Sequence, residues 1–98
     1  MNLRILESAL NDLAEGRDFY EQQSVGVGGY FFDSLFSDID SLALYAGIHR
    51  KVFNFHRLLS KRFPYAIYYQ LEGENTVVYR VLDLRQDPHK TRTALKIG

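Results

Sequence analysis

Arg62-Phe63-Pro64-Tyr65-Ala66-Ile67-Tyr68-Tyr69 decides how this chain folds. Phe63, Tyr65, Ile67, Tyr69 and Leu71 recur at a period of two, so they share one face of a strand. The alternate positions, Pro64, Ala66, Tyr68 and Gln70, are themselves half apolar. A strand that is apolar on both faces is covered on both, which makes this a central strand. Pro64 has no N–H to give a ladder and belongs at the strand's start or at a bulge. Cations crowd the entrance: His56, Arg57, Lys61 and Arg62. The expectation is a hydrophobic platform with a cationic rim, and function at the rim.

Outward from this strand, Glu72-Gly73-Glu74-Asn75 reads as a hairpin turn in which Gly73 takes the positive φ. Thr76 to Leu84 follows as another strand. Val52, Phe53, Phe55, Leu58 and Leu59 precede it as one strand, and Ser60-Lys61-Arg62 makes the reversal. Strands joined this closely are antiparallel. Upstream the apolar period changes to that of a helix. Phe32, Leu35, Phe36, Ile39, Leu42, Ala43 and Ala46 predict a helix from about Tyr30 to Ala46, with Gly47 just past its end. Leu10, Leu13, Ala14, Arg17 and Tyr20 predict an earlier helix that fades near Gln22-Gln23-Ser24, with Ser8 as its N-cap. Gly26, Gly28 and Gly29 mark the turn between the two. Asn2 to Leu6 is a short edge strand, and His89 to Ile97 a weak strand or a helical turn. The fold class is α+β: a short N-terminal strand, an antiparallel helical hairpin, then an antiparallel β-meander with the helices packed on one face of the sheet.

Ninety-eight residues suit one domain, 1–98, with one modest core. An apolar fraction of 46% places it among folded chains. There is no cysteine, which excludes a disulfide framework, a thiolate metal site and a cysteine nucleophile. Met1 to Gly16 has no long apolar run, so no signal peptide is expected, and no stretch approaches a membrane span. A cytoplasmic protein without membrane contact is the expectation. The formal net charge of zero hides a split. Residues 1–48 carry two Lys/Arg against eight Asp/Glu, and residues 49–98 carry ten against four. Either the two halves attract each other, or the basic half meets an acidic or nucleic-acid partner.

His49, His56 and His89 lack the close spacing of metal ligands, so neither a metal nor any other cofactor is expected. The glycines at 26–29 lack the Lys-Ser/Thr ending of a phosphate loop. RNA cleavage through the 2′-hydroxyl needs a base, an acid and cations at the phosphate, and His56, Arg57, Arg62, Arg85 and His89 are the candidates. A binding surface needs only charge and shape. Arg57, Lys61, Arg62, Tyr65, Arg85, His89, Lys90 and Arg92 are the candidates for that.

The chain resembles toxins of the RelE/ParE superfamily, the toxin–antitoxin and plasmid-stabilisation proteins of bacteria. The resemblance rests on Ala9…Asp12-Leu13, Phe19-Tyr20 and Phe32…Leu35…Ile39…Leu42, and above all on two segments. These are Arg57-Leu58…Arg62-Phe63-Pro64-Tyr65-Ala66-Ile67-Tyr68-Tyr69 and Val81-Leu82-Asp83-Leu84-Arg85-Gln86-Asp87-Pro88. It is closer to the ParE branch, which implies inhibition of DNA gyrase by binding. The ribosome-dependent messenger nucleases of the RelE branch carry an arginine where this chain has Ala66. They also place a tyrosine near the C-terminus, and here none follows Tyr79. Arg85 matches a basic position of both branches. The last strand of the ParE pattern commonly ends in His then two Arg, and Asp83 and Gln86 replace the first and last of these. The resemblance implies a cognate antitoxin whose C-terminal segment wraps the toxin, with operator DNA reached only through that antitoxin. Two alternatives are a RelE-like endoribonuclease acting at the ribosome and an inactive toxin fold that only binds.

Overall fold

The computed structural model describes residues 2–97; Met1 and Gly98, the ends of the expected domain, lie outside the described residues. In chain order the elements are β1 (Asn2–Ile5), α1 (Glu7–Gln23), α2 (Val27–Asp40), α3 (Leu42–Tyr45) and β2 (Lys51–Val52). β3 (Phe55–Leu59), β4 (Tyr65–Glu72), β5 (Asn75–Asp83) and α4 (Pro88–Ile97) follow. The five strands form one sheet in the order β1-β5-β4-β3-β2. β1 pairs with β5 in parallel, and every other pair is antiparallel. β4 lies inside, as its two apolar faces demand, and Pro64 sits just before it, where no ladder bond is lost.

β4 divides its residues between two cores. Tyr65, Ile67 and Tyr69 join Leu13, Phe31, Leu35 and Ile39 under α1 and α2. Ala66 and Tyr68 join Phe55, Leu82 and Leu95 on the opposite face, and Leu95 comes from α4. The tail is therefore a ten-residue helix that covers the second face. A bulge between Tyr68 and Tyr69 skips Tyr79 on β5, so that Val78 and Val81 both reach the first core.

The helical hairpin crosses at glycines. A Cβ on Gly28 would lie 2.5 Å from the Arg17 carbonyl oxygen, and one on Gly16 would lie 2.5 Å from the Phe31 ring. α2 accordingly starts at Val27, before the expected Tyr30, and only Gly26 (φ 90°) makes the turn. Glu21 caps α2 from α1: its carboxylate accepts the N–H groups of Gly26 and Gly28.

Other expectations need correction. Ser8 does not cap α1; Leu6 holds the cap position, and the Ser8 hydroxyl donates instead to the Tyr79 carbonyl at 2.7 Å. The buried stripe of α1 is Ala9, Asp12, Leu13 and Gly16, and Leu10 faces outward. Small residues set that face because the helices approach closely there. The second helix breaks at Ser41, whose hydroxyl donates to the Asp38 carbonyl, and resumes as α3. The strand expected over Val52–Leu59 is a hairpin, β2 and β3, folded at Phe53 (φ 55°) and Asn54 (φ 71°). Neither residue is Gly, so the turn lacked its usual sequence mark. Gly47 (φ 95°) does sit just past the helical region as expected.

Candidate functional site

The sequence-selected cations fall into three settings. Lys61 and Arg62 stand exposed on the β3–β4 loop. Asp38, buried at the end of α2, holds that loop by accepting the Ser60 hydroxyl at 2.8 Å and the Lys61 N–H at 3.3 Å. The Arg62 side chain projects into water with no ion pair among the described residues. Phe63 beside it packs on Tyr20, Tyr30 and Phe31, which fixes where the loop leaves the core.

Arg85 differs from these. Its Nε and Nη2 bind the two oxygens of Asp83 at 2.9 and 2.8 Å, and Nη2 also reaches the Tyr20 hydroxyl at 3.3 Å. The fork raises the Arg85 pKa, and hydrogen bonding to Arg85 holds the Asp83 carboxyl below its ordinary range. Arg85 is thus engaged by the chain's own carboxylate. Tyr65 is buried beneath it, and burial with the charge of Asp83 pushes its hydroxyl pKa up to about 12. It is a core residue with its polar end at this ion pair, not a free contact residue.

The third group lies around α4. Asp87 accepts the His89 N–H at 2.9 Å, so it caps the helix that carries His89, Lys90 and Arg92 outward. The Arg92 guanidinium lies 5.2 Å over the Phe53 ring. Arg57 stands opposite Tyr68 in the β3–β4 register, on the face that α4 covers.

Two of the three histidines, His49 and His56, are structural. His56 donates from Nδ1 to the His49 carbonyl at 2.6 Å, and its ring stacks on Tyr69. The Tyr69 hydroxyl accepts the Gly47 N–H at 2.9 Å and meets His49 Nδ1 at 2.5 Å. Burial, then the charge of His56, lowers the His49 pKa. His56 lines a cavity with Lys51, Asn54 and Gln70, and neither Arg85 nor His89 is among its lining residues. No cluster of three His, Asp or Glu suited to a metal ion occurs among the described residues. No described helix is long and apolar enough to cross a membrane.

Sequence reasoning missed the pair that ties α1 to β5. Asp12 accepts Arg80 Nε at 2.7 Å, Arg80 Nη2 at 2.9 Å and the Val81 N–H at 2.9 Å. β1 ends opposite Val78, and beyond that point Ser8 and Asp12 satisfy the edge of β5 with their side chains. Arg80 Nη1 also reaches the Ala94 carbonyl of α4 at 3.4 Å. The readable signal was an acid on an apolar helical stripe and an arginine inside an apolar strand. Apolar surface is left exposed at Tyr30 on α2, at Leu44 and Tyr45 on α3, and at Ile48 just after it.

A sequence profile of the ParE toxin of the type II toxin–antitoxin system parDE matches residues 3–88. No curated protein matches the chain. A solved structure, the chromosomal ParDE TA system from P. aeruginosa, contains a chain similar to this one at a TM-score of 0.80 and 19% identity. The match covers 87% of this chain and 97% of that one. At that identity the likeness is one of fold. The profile match stops at the first residue of α4.

Proposed function

Because the chain belongs to the ParE toxin family of type II toxin–antitoxin systems, we propose that it acts in the cytoplasm by binding and poisoning a DNA topoisomerase, gyrase first among them. A cognate antitoxin neutralises it. The observation that carries this reading over RNA cleavage is the commitment of two of the three imidazoles to the chain's own groups. His56 is spent on the His49 carbonyl, His49 faces Tyr69, and Ala66 fills the place of the nuclease arginine. His89 is the remaining imidazole; it stands exposed on α4 beside Lys90, and cleavage needs an acid and a base together. Arg62 and Lys61 project freely and suit docking to an anionic protein surface. Exposed Leu44, Tyr45 and Ile48, together with the outer edge of β1, offer the antitoxin an apolar patch and a strand edge.

The test is supercoiling by purified gyrase with the full chain added, alone and after incubation with the protein encoded beside it. Inhibition that the neighbouring protein reverses, and that weakens in Arg62→Ala, is the expected result. Undisturbed supercoiling would remove the gyrase proposal. Codon-linked message cuts after induction would move the chain to the nuclease branch, and unimpaired growth would leave an inactive binding fold.

A further inference from the structure

Arg57 is placed unusually for a surface cation. Its Nε is buried without a hydrogen-bond partner, the one such side-chain nitrogen or oxygen among the described residues. A buried charged donor left so is costly, and its persistence calls for a reason. A cavity of about 180 Å³ adjoins it between the β2–β3 hairpin and the start of α4. That is several times the roughly 30 Å³ share of one water molecule.

Arg57, Tyr68, Gln86 and Thr91 bring hydrogen-bond donors to the cavity, and Val52, Phe53, Leu84 and Pro88 complete its wall with apolar surface. Arg57 brings a permanently charged guanidinium. The Tyr68 hydroxyl oxygen is in hydrogen-bond reach of the guanidinium: burial raises the Tyr68 pKa, and the charge of Arg57 and a hydrogen bond from it oppose the rise, while Nε itself stays without a partner. Gln86 gives an amide N–H to Thr91 Oγ1 at 3.1 Å, so the buried Thr91 hydroxyl keeps its own proton to donate. No carboxylate is among the described lining residues. The nearest acid in sequence, Asp87, is spent on the His89 N–H. One fixed cation with two hydroxyls and one amide, set in an otherwise apolar wall, suits an anion with three or more oxygens better than the planar fork of a carboxylate.

The surroundings continue the pattern. Phe53 walls this cavity and also a second one of about 600 Å³, to which Arg92 and Lys96 contribute and no described acid does. Phe53 is held at φ 55°, a region an aromatic residue rarely occupies. Strain of this kind persists where surrounding structure over-determines it, and it gathers at ligand sites.

We propose that the cavity between the β2–β3 hairpin and α4 is a phosphate subsite, with Arg57 as the anchoring cation and Tyr68 and Thr91 as flanking donors. The phosphate group comes either from free inorganic phosphate or from a phosphodiester of a single nucleic-acid strand laid past Phe53 and Arg92. The site owes nothing to gyrase binding, and its test involves no topoisomerase.

The experiment follows the Arg57 Nε–H resonance of the full ¹⁵N-labelled chain, and the backbone amides of residues 68 and 91, which every variant retains. Inorganic phosphate, a short thymidine oligonucleotide and acetate are titrated separately at constant ionic strength. The expected result is a saturable shift of these resonances with phosphate, and affinity lower by about tenfold or more in Arg57→Met, the loss typical of a charge-assisted bond. Thr91→Val, which keeps shape and fold, weakens binding while the other resonances hold their positions. Saturation by the oligonucleotide at far lower concentration than phosphate assigns the strand as source; saturation by phosphate alone assigns the free anion. No saturable shift, an equal response to acetate, or unchanged affinity in both variants overturns the subsite.

Discussion

Replacing Asp12 with Ala should be the most damaging single change to this fold. Asp12 is 8% exposed and accepts three hydrogen bonds, two from Arg80 and one from the Val81 N–H. Its loss leaves a backbone N–H without its acceptor and a guanidinium without its counter-charge. Removing one partner of a buried ion pair costs about 3–5 kcal/mol. The Arg80 side chain is 24% exposed, so water recovers part of its solvation, and the lower end, about 3 kcal/mol, is the appropriate figure. For a domain of this size that lowers Tm by roughly 12–24 °C. Asp12→Asn keeps an acceptor for Val81 and should cost about half as much. Arg80→Met combined with Asp12→Leu removes both charges and should recover the part of the loss due to the unpaired guanidinium, while the Val81 N–H still lacks its acceptor. Urea unfolding followed by circular dichroism measures all three. An unfolding free energy for Asp12→Ala within about 0.5 kcal/mol of the parent would refute the reasoning, since that is the scatter of an ordinary surface change.

The other predictions concern helices and pH. Gly28→Ala forces a Cβ to 2.5 Å from the Arg17 carbonyl oxygen and should cost about 1–3 kcal/mol, whereas Gly29→Ala, with open space around it, should gain up to about 1 kcal/mol. Thermal melts of the pair compare them directly. Glu21→Ala removes the cap of α2 and should cost about 1 kcal/mol, with Glu21→Gln losing less. The folded His49 binds its proton less readily than its ordinary pKa of 6.5, so the unfolded chain takes up protons first as the solution is acidified. Its contribution is complete above pH 6.5 and is lost as pH falls through the lowered value, so urea midpoints at successive pH should decline in that range and flatten in His49→Gln.

β4 was legible because its own alternation carries the answer: one face meets α1 and α2, the other meets α4, and both are apolar. The hairpin at Phe53–Asn54 was not, because tertiary packing holds an aromatic at positive φ where local chemistry would ask for Gly. The face of α1 was misjudged because close approach at Gly16 and Gly28 turns small residues inward and leaves Leu10 outside. Of the proposed surface cations, Arg62 stands free as its sequence setting implied. Arg85 does not, because Asp83 lies two residues away with its carboxylate in reach, a pairing visible only once the strand end is built.

β1 lies beside β5, so the first strand made finds its neighbour only after nearly all the chain exists. Asp12 and Arg80 add a second tie across 68 positions, at the same seam. During synthesis the helical hairpin therefore emerges with its apolar stripe bare and no sheet to sit on. Such non-local closure is slow. A ribosome still holding β5 displays an unfinished chain whose sticky helices are open to any nearby binder, so that capture before completion and capture after it present different surfaces to the same protein.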